Sequence, residues 1–236
     1  MKASDELDCL QRELASRAGR SWRQVARAFV WRLTVWSAYA AKRAIDVVVA
    51  SLALVLLAPL FVATYLAVRL TSKGPAFFSQ VRVGRDGRHF PFYKFRSMYM
   101  DAEARKAALL ARNESAGGVI FKMRHDPRIT PVGRVLRKFS IDELPQLWNV
   151  LRGDMTLVGP RPPVPAEVAQ YTLEERKRLN VIPGLTCTWQ VSGRSDIPFQ
   201  EQVRLDKEYI RTHGVWNDLK ILLRTVPAIL TGRGAY

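Results

Sequence analysis

An uncharged apolar segment, Val47–Val68, limits what this chain can fold into more than any other feature. Its 22 residues, VVVASLALVLLAPLFVATYLAV, match the hydrocarbon thickness of a bilayer and contain too few polar positions for the face of a soluble helix. The segment also starts too far from residue 1, and is too long, for the apolar region of a signal peptide. We therefore expect a helix embedded in a membrane.

Pro59 lies in the middle of this segment, where it removes a backbone hydrogen bond and bends the helix. Basic residues flank both ends, with Lys42 and Arg43 before it and Arg69 and Lys73 after it. Because such residues favour the cytoplasmic side of a membrane, a re-entrant helical hairpin satisfies both ends. A kinked helix that spans the membrane is the alternative.

The chain before this segment is a basic arm, residues 1–41. Its first 16 residues are polar and mixed in charge, whereas arginines recur among three tryptophans from Arg17 to Arg43. This pattern predicts an amphipathic helix in the membrane interface. The sequence thus predicts three parts, which are residues 1–41, 42–72 and 73–236.

The composition indicates the kind of partner. The formal net charge of +16 points to nucleic acid, a phosphorylated substrate or an anionic membrane surface. The two cysteines, Cys9 and Cys187, lie far apart and near no pair of histidines, so they indicate neither a disulfide framework nor a zinc site. We expect a reduced protein that faces the cytosol.

Residues 73–236 are expected to form a cytosolic globular domain of the α+β class, mainly helical. Two β-prone stretches, Phe77–Val83 and His89–Phe95, flank a glycine-bounded turn and predict a small β-hairpin. A helix is expected over Asp101–Arg112, followed by a loop at Gly117–Gly118. Further amphipathic helices would lie at the membrane interface.

Two adjacent carboxylates, Asp142 and Glu143, lie in a strongly basic part of the chain. The flanking cations are Lys122, Arg124, Arg128, Arg134, Arg137, Lys138, Arg152 and Arg161. Nearby positive charge stabilises the ionised form of an acid, so we expect both carboxylates to have a low pKa. Such a group suits a nucleophile or a metal ligand.

Helix capping is the other role for this pair. Ser140–Glu143 fits the S-x-x-E capping box, but Pro145 would then be the fifth helical residue, where its missing N–H matters. With Asp142 as the N-cap, Pro145 falls in the tolerant first turn, and Asp142 lies at the positive end of the helix. These residues alone leave capping and chemistry both open.

The segment "VGPRPP" holds Arg161 between prolines at 160, 162 and 163. Proline restricts the backbone to an extended geometry, so this guanidinium loses little freedom on binding and suits bidentate contact with a phosphate. A rigid surface loop with a solvated arginine is the alternative.

The order of these motifs resembles the bacterial sugar transferases, which are monotopic phosphoglycosyl transferases. The markers, spread over Lys42–Tyr236, are "KRAID", the apolar segment with its central proline, "FYKFRSM", "DPRITPVGRVLRKFSIDELPQLWNVLRGDMTLVGPRP" and "WQVSGRSD". At the helix break the family is expected to have Ser-Pro, whereas this chain has Ala58–Pro59.

The resemblance implies that Asp142 and Glu143 are catalytic. Asp142 would attack the β-phosphate of a UDP-sugar, UMP would leave, and undecaprenyl phosphate would take the phosphosugar from the aspartate. Mg²⁺, with Mn²⁺ as a substitute, would be held by Glu143 and Asp142. The positions that match substrate-binding motifs are Lys94, Arg96, Arg137, Arg161, Arg194 and Asp206.

The resemblance also implies a setting. The enzyme would initiate exopolysaccharide or O-antigen (lipopolysaccharide) synthesis at the bacterial inner membrane, with its catalytic domain facing the cytosol. The Gly-Arg-Gly-Ala-Tyr terminus is similar to that of transferases that use galactose or glucose. Membrane lipid is a further partner, a homodimer is compatible with the family, and nucleic acid is not expected.

Two other functions use different features of the chain. A metal-dependent glycosyltransferase that releases UDP could use Asp101 and Glu103 as a D-x-E ligand set. A membrane-anchored basic adaptor would explain the +16 charge without catalysis. Against the adaptor, the basic residues are dispersed among proline, glycine and acidic motifs, and no nucleic-acid module is recognisable.

Overall fold

A computed structural model describes residues 22–109, 113–114, 121, 123–232 and 234 of the chain. The first 21 residues of the predicted arm, the Gly117–Gly118 loop and Lys122 therefore lie outside the described residues. The chain divides into two compact units, Met1–Ala44 and Ile45–Tyr236. The predicted three-part division stays a prediction.

The described chain is mainly helical with two small sheets, which confirms the α+β class. The helices are α1 (Trp22–Leu56), α2 (Ala58–Thr71), α3 (Ala102–Leu109), α4 (Pro131–Lys138), α5 (Gln146–Arg152), α6 (Pro165–Val168), α7 (Leu173–Arg176), α8 (Thr188–Ser192), α9 (Phe199–Thr212) and α10 (Val215–Thr231). The strands are β1 (Phe77–Val83), β2 (His89–Phe95), β3 (Thr156–Val158) and β4 (Gly184–Thr186).

The apolar segment forms two helices rather than one. Helix α1 ends at Leu56, and Pro59 lies in the first turn of α2, where its missing N–H costs no helical hydrogen bond. The helices Phe29–Leu56 and Ala58–Thr71 are bent by 61°. By length and hydropathy, no single described helix could cross a bilayer, whereas this bent pair passes that test as a unit.

The predicted β-hairpin is confirmed, with both strands at the predicted residues. β1 and β2 are antiparallel, and Phe77 pairs with Phe95 while Val83 pairs with His89. The Gly84 N–H donates to the Arg88 carbonyl at 2.7 Å and closes the connection. Helix α3 lies within the predicted range 101–112, of which residues 110–112 are outside the described chain.

A second small sheet lies in the main core. β3 and β4 run parallel, with Thr156 paired to Gly184. A Cβ on Gly184 would lie 2.0 Å from the backbone nitrogen of Gly159, so the close approach of the two segments requires glycine. The core against this sheet includes Phe92 and Leu157.

Asp46 connects helix α1 to this sheet. Its side chain is 4% exposed; Oδ2 accepts a hydrogen bond from the Thr156 hydroxyl at 2.6 Å, and Oδ1 accepts one from the Leu157 N–H at 3.0 Å. β3 leads directly into the proline-locked Arg161. Asp46 therefore anchors the strand that leads into the "VGPRPP" segment.

Candidate active site

The Asp142–Glu143 pair lies in a short 3₁₀ turn between two helices. Helix α4 ends at Lys138, Ser140 adopts a left-handed conformation with φ 54°, and the turn covers Ile141–Glu143. Helix α5 begins only at Gln146, with Pro145 at its N-cap position. The prediction that Asp142 caps this helix is therefore wrong, because Pro145 starts the helix without needing an N–H partner.

The capping box that the pattern of Ser140–Glu143 fits, and against which Pro145 argued, is also absent from this described segment. Ser140 makes no side-chain cap bond, and its hydroxyl accepts a hydrogen bond from Arg194 Nη2 at 3.2 Å. The Glu143 carboxylate is occupied by cations from other elements. The polar side chains of the turn thus serve contacts across the fold rather than the helix end.

Glu143 is held by two cations. Its Oε1 accepts hydrogen bonds from Arg161 Nη2 at 2.6 Å and from Lys94 Nζ at 2.9 Å, and its Oε2 accepts one from Arg161 Nη1 at 3.3 Å. Burial by itself would raise the pKa of Glu143, but Arg161 and Lys94 outweigh it and hold that pKa well below its usual range. The expected low pKa is correct for this residue.

Asp142 has a different electrostatic setting. Its side chain is buried, and Lys94 Nζ lies 3.8 Å from Oδ2, beyond hydrogen-bond distance. Burial raises the pKa of Asp142, Lys94 opposes that rise, and the neighbouring Glu143 adds to it. The expected low pKa is wrong in direction here, because Glu143 takes the close contacts with the cations.

One cavity of about 620 Å³ contains both carboxylates. The basic residues Lys94, Arg137, Arg161 and Arg194, all predicted from motifs, line it as well. They come from β2, α4, the proline-locked segment and the turn after α8. A buried carboxylate pair facing several cations can bind an anionic substrate and carry out nucleophilic chemistry on it.

Comparison with known proteins identifies the family. Residues 37–232 match the family model described as "Bacterial sugar transferase". The chain belongs to the bacterial sugar transferase family. The match includes the apolar segment, the hairpin, the carboxylate pair and every residue that lines the cavity except Gly234.

Three relatives illustrate the similarity of this bacterial sugar transferase to other members. It is 49% identical over 197 residues to the galactosyl transferase CpsE of Streptococcus agalactiae, covering 83% of this chain and 43% of that protein. It is 45% identical over 199 residues to the undecaprenyl-phosphate galactose phosphotransferase of Salmonella typhimurium, covering 83% and 41%. It is 43% identical over 203 residues to the UDP-glucose:undecaprenyl-phosphate glucose-1-phosphate transferase of Caulobacter vibrioides, covering 83% and 72%. The chain spans less than half the length of the first two.

Two predicted substrate-binding residues of this family member are engaged elsewhere. The Arg96 guanidinium, 5% exposed, donates to the carbonyl and hydroxyl of Ser72, at 2.9 and 2.8 Å, and to the Lys73 carbonyl. It thereby holds the turn that follows α2, although it also lines the cavity. Asp206 is 1% exposed, lies outside the cavity lining, and pairs with Arg178 at 2.6 Å.

Arg178 and Arg82 line the cavity, although neither is among the site residues that the sequence predicts. Arg178 donates to the Tyr171 hydroxyl at 3.1 Å and is held by Asp206, so Asp206 positions a cavity residue instead of touching the cavity itself. Arg82 lies above the Phe92 ring at 5.1 Å. Alternation along β1 could have found Arg82, because Arg82 and Lys94 lie on the same face of the hairpin.

The implied Mg²⁺ would need oxygen ligands in this cavity. No group of three or more His, Cys, Asp or Glu side chains that could hold a metal is found among the residues that the structure describes. Mg²⁺ needs only one or two carboxylates when substrate phosphates and waters complete its shell. Asp142 and Glu143 fit such a site, with Asp142 the carboxylate less engaged by cations.

Proposed function

We propose that this chain transfers hexose 1-phosphate from a UDP-hexose to undecaprenyl phosphate and releases UMP. One observation carries the proposal: among the described residues, the nearest cation to the buried Asp142 carboxylate is Lys94 at 3.8 Å, whereas the neighbouring Glu143 is held by Lys94 at 2.9 Å and by Arg161 at 2.6 Å. The names of the relatives support the substrates. UDP-galactose or UDP-glucose would be the donor.

The reaction proceeds in two displacements at one phosphorus atom. A carboxylate oxygen of Asp142 attacks the β-phosphorus of UDP-hexose, the bond from that phosphorus to the bridging oxygen breaks, and UMP leaves with that oxygen. An oxygen of undecaprenyl phosphate then attacks the same phosphorus, which breaks the bond to Asp142 and restores the carboxylate. The product is undecaprenyl diphosphate hexose, and neither displacement needs an external proton donor.

The cations near the pair make the first displacement feasible. A carboxylate can approach a negatively charged diphosphate only where positive charge offsets the repulsion. Arg161 and Lys94 are fixed by Glu143 in advance, so they need no reorganisation when the substrate binds. Mg²⁺, or Mn²⁺, held by Asp142 and Glu143 would withdraw charge from the phosphate oxygens.

The apolar surface of the chain supports a membrane location. Exposed apolar side chains follow α1 and α2, among them Leu56 at 76% and Leu70 at 82%, and α10 carries Trp216 at 77% and Leu230 at 69%. We place the bent pair α1–α2 in the inner membrane as a re-entrant hairpin and α10 at the interface, with the cavity on the cytosolic side. In this setting the enzyme would catalyse the first step of exopolysaccharide or O-antigen synthesis.

The nucleotide product decides between the two enzyme candidates. We expect membranes containing the wild-type protein to release UMP from UDP-glucose or UDP-galactose, and the Asp142→Asn variant to release none. Release of UDP instead would favour the glycosyltransferase, although the structure pairs Asp101 with Arg105 at 2.5 Å and Glu103 with Lys106 at 3.5 Å. Full UMP release by Asp142→Asn would refute the assignment of Asp142 as the nucleophile.

The membrane topology has its own test. Gln24→Cys and Lys73→Cys, each in a chain with Cys9→Ser, place one thiol near the start of α1, ahead of its apolar part Phe29–Leu56, and one just after α2. In intact cells both should resist a membrane-impermeant maleimide, and in permeabilised cells both should react. Labelling of one site only in intact cells would indicate a spanning helix.

A further inference from the structure

Arg82 is a cavity cation that has no counter-ion among the described residues. It lies on β1, and its Nη1 donates to the Pro162 carbonyl at 2.9 Å. Its Nε is enclosed by protein and donates to none of the described residues. No carboxylate among the residues that the structure describes lies within ion-pair distance of Arg82, whereas Lys94 and Arg161 both pair with Glu143.

Three cations share one aromatic ring. Arg82, Lys94 and Arg161 lie 5.1, 5.4 and 6.0 Å from the centre of the Phe92 ring, which is 1% exposed. Burial, and then repulsion by Arg161, lowers the pKa of Arg82 to about 10. Burying the positive charge of Arg82 costs free energy, and only carboxylates beyond ion-pair distance offset that cost. An anion bound next to Arg82 would offset it more fully.

The side chain is also fixed in place. The hydrogen bond to Pro162 and the ring of Phe92 hold the Arg82 guanidinium at the wall of the cavity. Pro162 directly follows Arg161 in the chain. A planar guanidinium held in this way presents N–H donors in a geometry that matches phosphate oxygens. An excess of positive charge beside a carboxylate pair therefore fits a phosphate group better than a neutral sugar.

We propose that Arg82 is a phosphate-binding residue of this cavity, which completes the charge around the phosphate group that reacts beside Asp142 and Glu143. This inference rests on the proposed function. The same chemistry can come from two sources, the diphosphate of the UDP-hexose donor or the phosphate of the lipid acceptor, and the experiment separates them.

The test compares Arg82→Gln and Arg82→Lys with Arg85→Gln in the full chain. Arg85 lies on the same hairpin outside the cavity, 3.3 Å from Asp86, with a side chain that is 47% exposed, so its replacement removes the same charge from the surface. The rate of UMP release is measured as the concentration of UDP-glucose or UDP-galactose is varied, and then as the concentration of undecaprenyl phosphate is varied. These two series give the two KM values. UDP binding is measured by calorimetry, and thermal melting checks that each variant is folded.

We expect Arg82→Gln to raise one KM about tenfold or more, as the loss of one charge-assisted hydrogen bond predicts, and Arg82→Lys to raise it less. A raised KM for UDP-hexose with weaker UDP binding assigns Arg82 to the donor. A raised KM for undecaprenyl phosphate with unchanged UDP binding assigns it to the acceptor. Arg85→Gln should match the wild type.

Three outcomes would count against the inference or the proposed function. If the folded Arg82→Gln variant keeps both KM values and UDP binding within twofold of wild type, the inference about Arg82 is wrong while the proposed function stands. If Arg82→Gln does not fold, Arg82→Lys decides: wild-type values for this variant in all three measurements would overturn the inference, because the inference requires the planar guanidinium. If the wild-type protein releases no UMP, the proposed function itself fails.

Discussion

Arg161 Nη2 lies 2.6 Å from Glu143 Oε1, while neither carboxylate oxygen of Asp142 has a cation closer than Lys94 at 3.8 Å among the described residues. Two neighbours in sequence, both in a basic setting, thus have opposite electrostatic environments. The cations secure Glu143 and leave the buried Asp142 carboxylate with weaker stabilisation. A carboxylate in that condition is the better nucleophile.

Glu143→Gln should lower the free energy of unfolding by about 3 kcal/mol, because it leaves Arg161 and Lys94 partly buried without their counter-ion. The measurement is urea unfolding followed by circular dichroism. Glu201→Gln is a matched control: Glu201 also lies 2.6 Å from an arginine, Arg204, but that pair is exposed, so the change should be within about 0.5 kcal/mol. Equal losses in the two variants would contradict the special position of Glu143.

The two carboxylates should respond to pH in opposite ways. The pKa of Glu143 is lowered on folding, so its stabilisation is fully present above the ordinary value of 4.5 and is lost as the pH falls below it. The pKa of Asp142 is raised, so its ionised form costs stability, and that cost appears as the pH rises above 3.8. We expect Asp142→Asn to raise Tm at pH 7 and to change it little at pH 3; a lower Tm at pH 7 would contradict this.

UMP release should increase with pH as Asp142 ionises, because only the carboxylate can attack phosphorus. The raised pKa places this increase above the 3.8 that is ordinary for an aspartate. The rate of UMP formation before acceptor is added, measured from pH 4 to pH 8, gives the curve. Arg82→Lys, which removes no carboxylate, should keep the same midpoint, whereas a flat curve in the wild type would argue against Asp142.

Asp46→Asn should destabilise the protein by about 2 kcal/mol and raise the KM for UDP-hexose. An amide can present only one acceptor oxygen, whereas Asp46 accepts from both the Thr156 hydroxyl and the Leu157 N–H. β3 leads to Arg161, so a shift of this strand would move a cavity cation. The control is the exposed Asp86→Asn, and an Asp46→Asn variant that loses stability but keeps KM would restrict Asp46 to folding.

Asp206→Asn should lower stability by about 3 kcal/mol, since Arg178 would keep its buried charge without a counter-ion. Replacing both members, as Arg178→Met with Asp206→Leu, should recover part of that loss. If Asp206 positions Arg178 at the cavity, Asp206→Asn should also raise the KM for a substrate. The double variant should regain stability but keep the raised KM. Recovery of KM along with stability would contradict this role.

The sequence was sufficient for features that depend on local pattern. Period-two alternation and a glycine-bounded turn located both strands of the hairpin at their observed ends. The proline in the apolar segment located the bend, although the chain forms two helices there. Motif order placed Lys94, Arg137, Arg161 and Arg194 in one lining, because each follows a distinct and recognisable local signal.

Only the tertiary structure decided how charge is shared between these residues. Net charge around Asp142 and Glu143 is the same in the sequence for both, yet distances of 2.6 and 3.8 Å to the nearest cation separate their behaviour. Arg96 and Asp206 likewise match motif positions, but the Ser72–Lys73 turn and Arg178 take their polar groups. Periodicity and composition determine which face and which element a side chain belongs to. Pairing and burial depend on elements far apart in the chain, and these set the pKa of each acid.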